Sequence, residues 1–282
     1  MSKLNFWSEP EMCRTYKCIS TNIFTVGGER ISDTLIENRL TIALLAKTSE
    51  TIDIEIYVEG TEIQKGLEFL PKEYMEVIQQ LSTLRDHFTC RIERQGKMLD
   101  IINFEQLQDR WKCLKENLWE NKNFTKEDIG KLVEAGDKEF SNKAVFMEEL
   151  NKNMVFETLW LALAQRGAIS ERKFYSCIFP DEEIKAQVEM ENGEDGEKLI
   201  EYCLKSTRTE VDENAFKKAY LKEFSLLGRP YQSYSFDFLA VKTVHKEDNW
   251  FNSIKCSISE RISDAVCVDV LCVIQEEDGN GE

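Results

Sequence analysis

Residues 51–58 read TIDIEIYV, and they restrict the fold more tightly than any other stretch of the chain. Ile52, Ile54, Ile56 and Val58 alternate with Thr51, Asp53, Glu55 and Tyr57, the two-residue period of a strand with one dry and one wet side. Acids on the wet side point to an antiparallel sheet covered on one face only, because parallel sheets are buried on both. Residues 39–46 (RLTIALLA) repeat the pattern with Leu40, Ile42 and Leu44 on one side, and the connection KTSE is short enough for a hairpin. Residues 15–26 (TYKCISTNIFTV) read as a further strand that turns at Gly27-Gly28.

The alternation returns in 88–101. Phe88, Cys90 and Ile92 alternate with Thr89, Arg91 and Glu93, Gln95-Gly96 turns the chain, and Leu99 and Ile101 resume the dry side. Beyond residue 170 it recurs in IKAQVEME (184–191) and KLIEYCLKSTRTEV (198–211), with NGEDGE (192–197) as the turn. It is strongest in SYSFDFLAVKTVH (233–245), SIKCSISERI (253–262) and DAVCVDVLCVIQ (264–275). In the last of these, Cys267, Leu271 and Val273 share the second face with Asp269, which predicts a central strand covered on both sides.

Helical spacing occupies the gaps between strands. Pro71 suits a first helical turn, and Tyr74, Val77, Ile78, Leu81 and Leu84 follow as an apolar stripe. Asn103 with Gln106 reads as a capping box before the stripe Phe104, Leu107, Trp111, Leu114 and Leu118. A second box, Thr125 with Asp128, opens a helix carrying Ile129, Leu132 and Val133 and interrupted near Gly136. Residues 141–167 predict the longest helix, with Phe146, Leu150, Met154, Leu159 and Leu163 on one side and Gly167 as its stop. A shorter helix is expected over 213–224.

Strands at both ends with helices between them specify an α+β chain. The expected architecture is one large curved antiparallel sheet, or two related ones, with the helices packed across one face. A single domain over 1–275 is the simplest division; the alternative splits the chain near residue 168 into two subdomains. The acidic end, 276–282, is expected to be disordered.

A chain of 282 residues with 42% apolar and 31% charged residues, four prolines and 13 glycines has the balance of an ordered globular protein. It is long enough to build a core without metal or disulfide staples. The longest apolar runs, LWLALA (159–164) and IALLA (42–46), fall far short of the roughly 20 residues of a membrane helix. MSKLNFWSEPEM shows no apolar signal segment, so a cytoplasmic location is expected.

Nine cysteines cannot all pair internally, and several lie among apolar neighbours, as small buried hydrophobes do. The C-x4-C pairs Cys13/Cys18 and Cys267/Cys272 place their thiols on opposite faces of a strand. With only His87 and His245 as imidazoles, no zinc site is expected. Neither a dinucleotide fingerprint nor a Walker loop, a zinc-protease motif or a nucleophile elbow occurs. No cofactor is expected, and the chain reads as noncatalytic.

The 52 acidic and 36 basic residues give a net charge of −16. That field disfavours nucleic acid and anionic lipid and favours a basic protein partner. One connection, HKEDNWFNS (245–253), carries large apolar side chains in a polar setting, and Glu247, Asp248, Trp250 and Phe251 are the candidate binding residues. The functional expectation is therefore a noncatalytic interaction protein of the immunity or adaptor kind. A carrier of an apolar ligand in a half-barrel pocket is the alternative, and a carboxylate-based hydrolase the third reading.

Overall fold

A computed structural model of the chain describes residues 12–66, 71–121, 123–165, 171–263 and 265–277. Five strands lie in the first part of the chain: β1 (Met12–Val26), β2 (Glu29–Lys47), β3 (Thr51–Lys65), β4 (His87–Glu93) and β5 (Met98–Ile101). Six follow in the second: β6 (Glu171–Tyr175), β7 (Glu183–Asp195), β8 (Leu199–Val211), β9 (Tyr234–His245), β10 (Phe251–Ile262) and β11 (Val266–Glu276). They form one open antiparallel sheet in the order β5-β4-β3-β2-β1-β11-β10-β9-β8-β7-β6. The first half of the chain thus steps outward from the centre, and the second half returns to it from the far edge. The seam is β1 against β11, in register from Tyr16 opposite Glu276 to Val26 opposite Val266.

Helix α1 (Lys72–Ser82) lies between β3 and β4, and α6 (Glu213–Glu223) between β8 and β9. Four helices carry the chain from one sheet edge to the other: α2 (Phe104–Glu120), α3 (Lys126–Ser141), α4 (Lys143–Lys152) and α5 (Met154–Leu163). All pack against the face that holds the alternating apolar residues. Leu40, Ile42, Ile54, Ile56, Cys256, Cys272 and Ile274 are all buried there. Phe156 of α5 meets Phe88 of β4 edge-on at 5.4 Å, and Phe216 of α6 meets Tyr234 at 4.4 Å. Every residue of α5 from Phe156 to Leu163 is buried, including Glu157, which Arg172 holds at 2.6 Å, as expected of a helix enclosed on all sides. The run LWLALA is therefore core, enclosed between the sheet and the other helices.

Several local expectations are corrected. The long helix expected over 141–167 is the last residue of α3 followed by two helices, α4 and α5, because Asn142 and Asn153 leave helical geometry and accept hydrogen bonds from the N–H groups of Ala144 (2.8 Å) and Val155 (2.9 Å); Gly167, its expected stop, lies outside the described residues. Asparagine at these positions offers the backbone a cap that competes with continuation. Gly136 does not interrupt α3; it lets the helix pass under the Trp111 ring, where a Cβ would lie 2.2 Å from a ring carbon. The Thr125–Asp128 box forms, with the Asp128 N–H donating to Thr125 Oγ1 at 3.1 Å. Asn103 instead accepts from the Thr89 N–H at 2.8 Å, tying α2 to β4. In β5 the buried side chains are Met98 and Ile101, while Leu99 is exposed, after a register shift between Arg91 and Ile92. β11 is central as expected, but Cys267, Asp269, Leu271 and Val273 remain half-exposed on its second face. The position near 168 lies outside the described residues, as do 278–282. Glu276 belongs to β11, and Glu277 pairs with Arg39 at 2.7 Å.

Candidate functional site

The candidate loop between β9 and β10 folds inward. Trp250 and Phe251 are 6% and 2% exposed, not projecting anchors. Phe251 stacks on Tyr16 of β1 at 4.4 Å between ring centres, Trp250 Nε1 donates to the Tyr16 hydroxyl at 2.8 Å, and that hydroxyl donates to the Phe251 carbonyl at 3.1 Å. Tyr16 thus supplies both an apolar surface and a polar partner, and that draws the aromatics back onto the sheet. Asp248 accepts from the Trp250 N–H at 3.0 Å and pairs with Arg14, leaving Glu247 as the exposed member of the set. Asp248, Trp250 and Phe251 thus form a clasp that reaches across β11 to Arg14 and Tyr16 of β1.

A different part of the molecule presents a cleft. Along β1 and β2 the helix-covered face is apolar at Tyr16, Cys18, Leu40 and Ile42. Further along the same face, the side chains become Ser20, Asn22, Asn38 and Thr34, and with Ile36, Val58 and Val270 they line a groove of about 650 Å³. One wall is the end of α1 and the turn after it, with Gln79, Ser82, Thr83, Arg85 and Asp86. Opposite stand Lys152, Asn153, Met154, Val155 and Phe156 of the α4–α5 junction, and Tyr175, Ser176 and Cys177 at the end of β6. The asparagine that breaks the predicted long helix therefore also shapes this wall.

The charges of the groove are largely accounted for. Arg85 is gripped by Glu139 through two bonds of 2.9 and 2.6 Å. Lys152 lies 2.8 Å from Glu149, 3.8 Å from Glu148 and 4.0 Å from Asp181. Asp86 differs: burial raises its carboxyl to about 6, opposed only by Arg110 at 3.6 Å and by its own backbone N–H. Behind Cys177 the buried Glu260 carboxylate accepts from the Ser176 hydroxyl and the Cys177 N–H, both at 2.6 Å, and from the Tyr234 hydroxyl at 3.1 Å. Burial and the neighbouring Glu260 hold the Cys177 thiol well above its ordinary value, so it stands protonated and unreactive at neutral pH. Among the described residues no group of three or more His, Cys, Asp and Glu side chains is arranged to hold a metal ion. The groove offers hydroxyls, amides, apolar side chains and one poorly compensated carboxylate, which is the equipment of recognition.

The sequence contained one signal for this groove. Counting forward by twos from Tyr16 leads through Cys18 to Ser20 and Asn22, and counting back from Ile42 leads through Leu40 to Asn38 and, past Ile36, to Thr34. These are polar residues on the dry face of otherwise apolar strands. The walls are contributed by distant segments and leave no local pattern.

No family model and no curated protein matches the chain. Among solved structures the chain is similar to lipovitellin, in a study of its lipid–protein interactions, with 9% identity and a TM-score of 0.43. The likeness covers 95% of this chain and 25% of the lipovitellin chain. This chain thus spans about a quarter of that protein's length, and a likeness of this size carries no argument about function.

Proposed function

We propose that the protein is a noncatalytic binding protein that receives a segment of a basic protein partner in the groove between the sheet and the α4–α5 junction. The observation that carries this reading is the change from apolar to polar side chains on the covered face, at Ser20, Asn22, Asn38 and Thr34. Polar groups on a sheet face that its own helices leave uncovered can exchange water for a partner's backbone and side-chain hydrogen bonds. Charge supports the sign of the partner. Arg85, Arg110 and Lys152 at the groove are outnumbered by Asp86, Glu139, Glu148, Glu149 and Asp181 beside them, within a chain of net charge −16.

Filling the groove tests the reading. Captured from the native cell at low salt, the wild-type protein should retain a basic protein that high salt releases, and Asn22→Trp should lose it while folding normally. Equal recovery by both proteins would remove the groove from the account.

Ile36, Val58, Met154, Val155, Phe156 and Val270 in the lining favour a second reading, a carrier of an apolar ligand. Native mass spectrometry should then reveal a co-purified lipid that Asn22→Trp lacks. Ligand-free wild-type protein would set the carrier aside.

A further inference from the structure

The groove has one charged group that the fold compensates only in part. Asp86 lines it at the turn after α1, and its backbone carbonyl accepts from the Val58 N–H at 2.6 Å, which fixes the residue against β3. The side chain of Asp86 is 37% exposed, and its nearest cation is Arg110 at 3.6 Å. Arg110 is engaged elsewhere, donating to the His87 carbonyl and to His87 Nδ1, each at 3.0 Å. Since Nδ1 accepts that bond, the His87 proton sits on Nε2 and is given to Glu55 at 2.6 Å. Arg85, the adjacent residue, is held by Glu139 of α3, and Lys152 across the groove by Glu148, Glu149 and Asp181. Tyr175 and Cys177 complete the titratable groups of the facing wall. A half-buried carboxylate with one long ion pair, its own backbone N–H and no side-chain hydrogen-bond donor has room for a further cationic partner.

Resting on the groove reading above, we propose that Asp86 receives a cationic side chain, a lysine or arginine of the partner segment, and that protonating Asp86 releases it. A guanidinium or ammonium at this position adds a close positive charge and side-chain donors to the distant Arg110. An arginine fits best, since its planar fork can meet both oxygens at once. Binding must then expel whatever proton Asp86 holds, and affinity falls as pH drops through about 6, where burial has raised this group.

The probe is the capped tripeptide acetyl-Gly-Arg-Gly-amide, titrated calorimetrically into the full chain at about pH 7.5 and about pH 5, with acetyl-Gly-citrulline-Gly-amide as the uncharged control. The arginine peptide should bind about tenfold more weakly at the lower pH, in proportion to the ionised fraction of a carboxyl near 6. Proton release should be visible as a buffer-dependent heat at about pH 6. Asp86→Asn should abolish both the pH dependence and the preference over citrulline, and Asp86→Ser provides a second neutral variant should asparagine disturb the turn. Asp269→Asn, on the opposite face, should behave as wild type. No binding, no preference for arginine, or an unchanged pH profile in both Asp86 variants would overturn the assignment. Peptide binding that Asn22→Trp blocks but the Asp86 variants leave unchanged would refute the role of Asp86 while sparing the groove.

Discussion

Gly136 and Thr158 show how single atoms decide outcomes in the core. Alanine is favoured over glycine in a helix by about 1 kcal/mol, yet a methyl at 136 would stand 2.2 Å from the Trp111 ring. Overpacking costs of about 1–3 kcal/mol outweigh the propensity gain. Gly136→Ala should therefore lower stability in urea unfolding, and a stabilised variant would show that α3 and α2 are less closely apposed. Thr158 presents the opposite case: its hydroxyl is buried with only the weak-bonding Cys256 and Cys272 thiols as partners. A buried hydroxyl left unsatisfied costs about 1–3 kcal/mol, and thiols recover little of it, so Thr158→Val, of nearly equal shape, should raise the melting temperature. Lys242 carries a third prediction. Its ammonium sits against the carbonyls of Leu161, Ala162 and Ala164 at the end of α5, but burial, with Arg172 adding like charge, lowers it to about 7. Between about pH 7 and the ordinary lysine range near 10.5, the unfolded chain holds this proton and the folded chain does not. Unfolding free energy should rise with pH across that window. Lys242→Met should flatten this slope, and an unchanged slope would mean that the carbonyls keep the ammonium charged.

At the scale of elements, period-two alternation survives packing well. The dry faces of β2, β3, β4 and β11 lie where their apolar residues indicate, because a one-residue slip would turn every such side chain outward. Helix boundaries were less legible. Asn142 and Asn153 look like tolerated helical residues until the bend they cap is seen. Asn153→Ala should cost about 1 kcal/mol by removing the cap of α5. That loss is measurable by denaturant unfolding, and an unaffected midpoint would place the break in packing instead of the cap. Trp250 and Phe251 misled for a related reason: polar neighbours suggested a projecting loop, whereas their fate was set by Tyr16, 234 positions away in the chain. The groove was half legible, its floor in the polar residues on the dry side of β1 and β2 and its walls only in tertiary contacts.

For the whole molecule, pairing the first described strand with the last makes the centre of the sheet the last part of the chain to be completed. The two halves meet at that seam and are joined by the α2–α5 bridge between the outer strands β5 and β6. The covered face is dry where α5 lies and wet where it stops, and the proposed function resides in that difference. Site-specific photocrosslinking in the native cell tests it most directly, with a benzophenone side chain placed at Asn22 in the groove or at Leu239 on the opposite face. A basic protein joined from position 22 and absent from position 239 is the predicted result. Crosslinks from 239 with none from 22 would contradict the account.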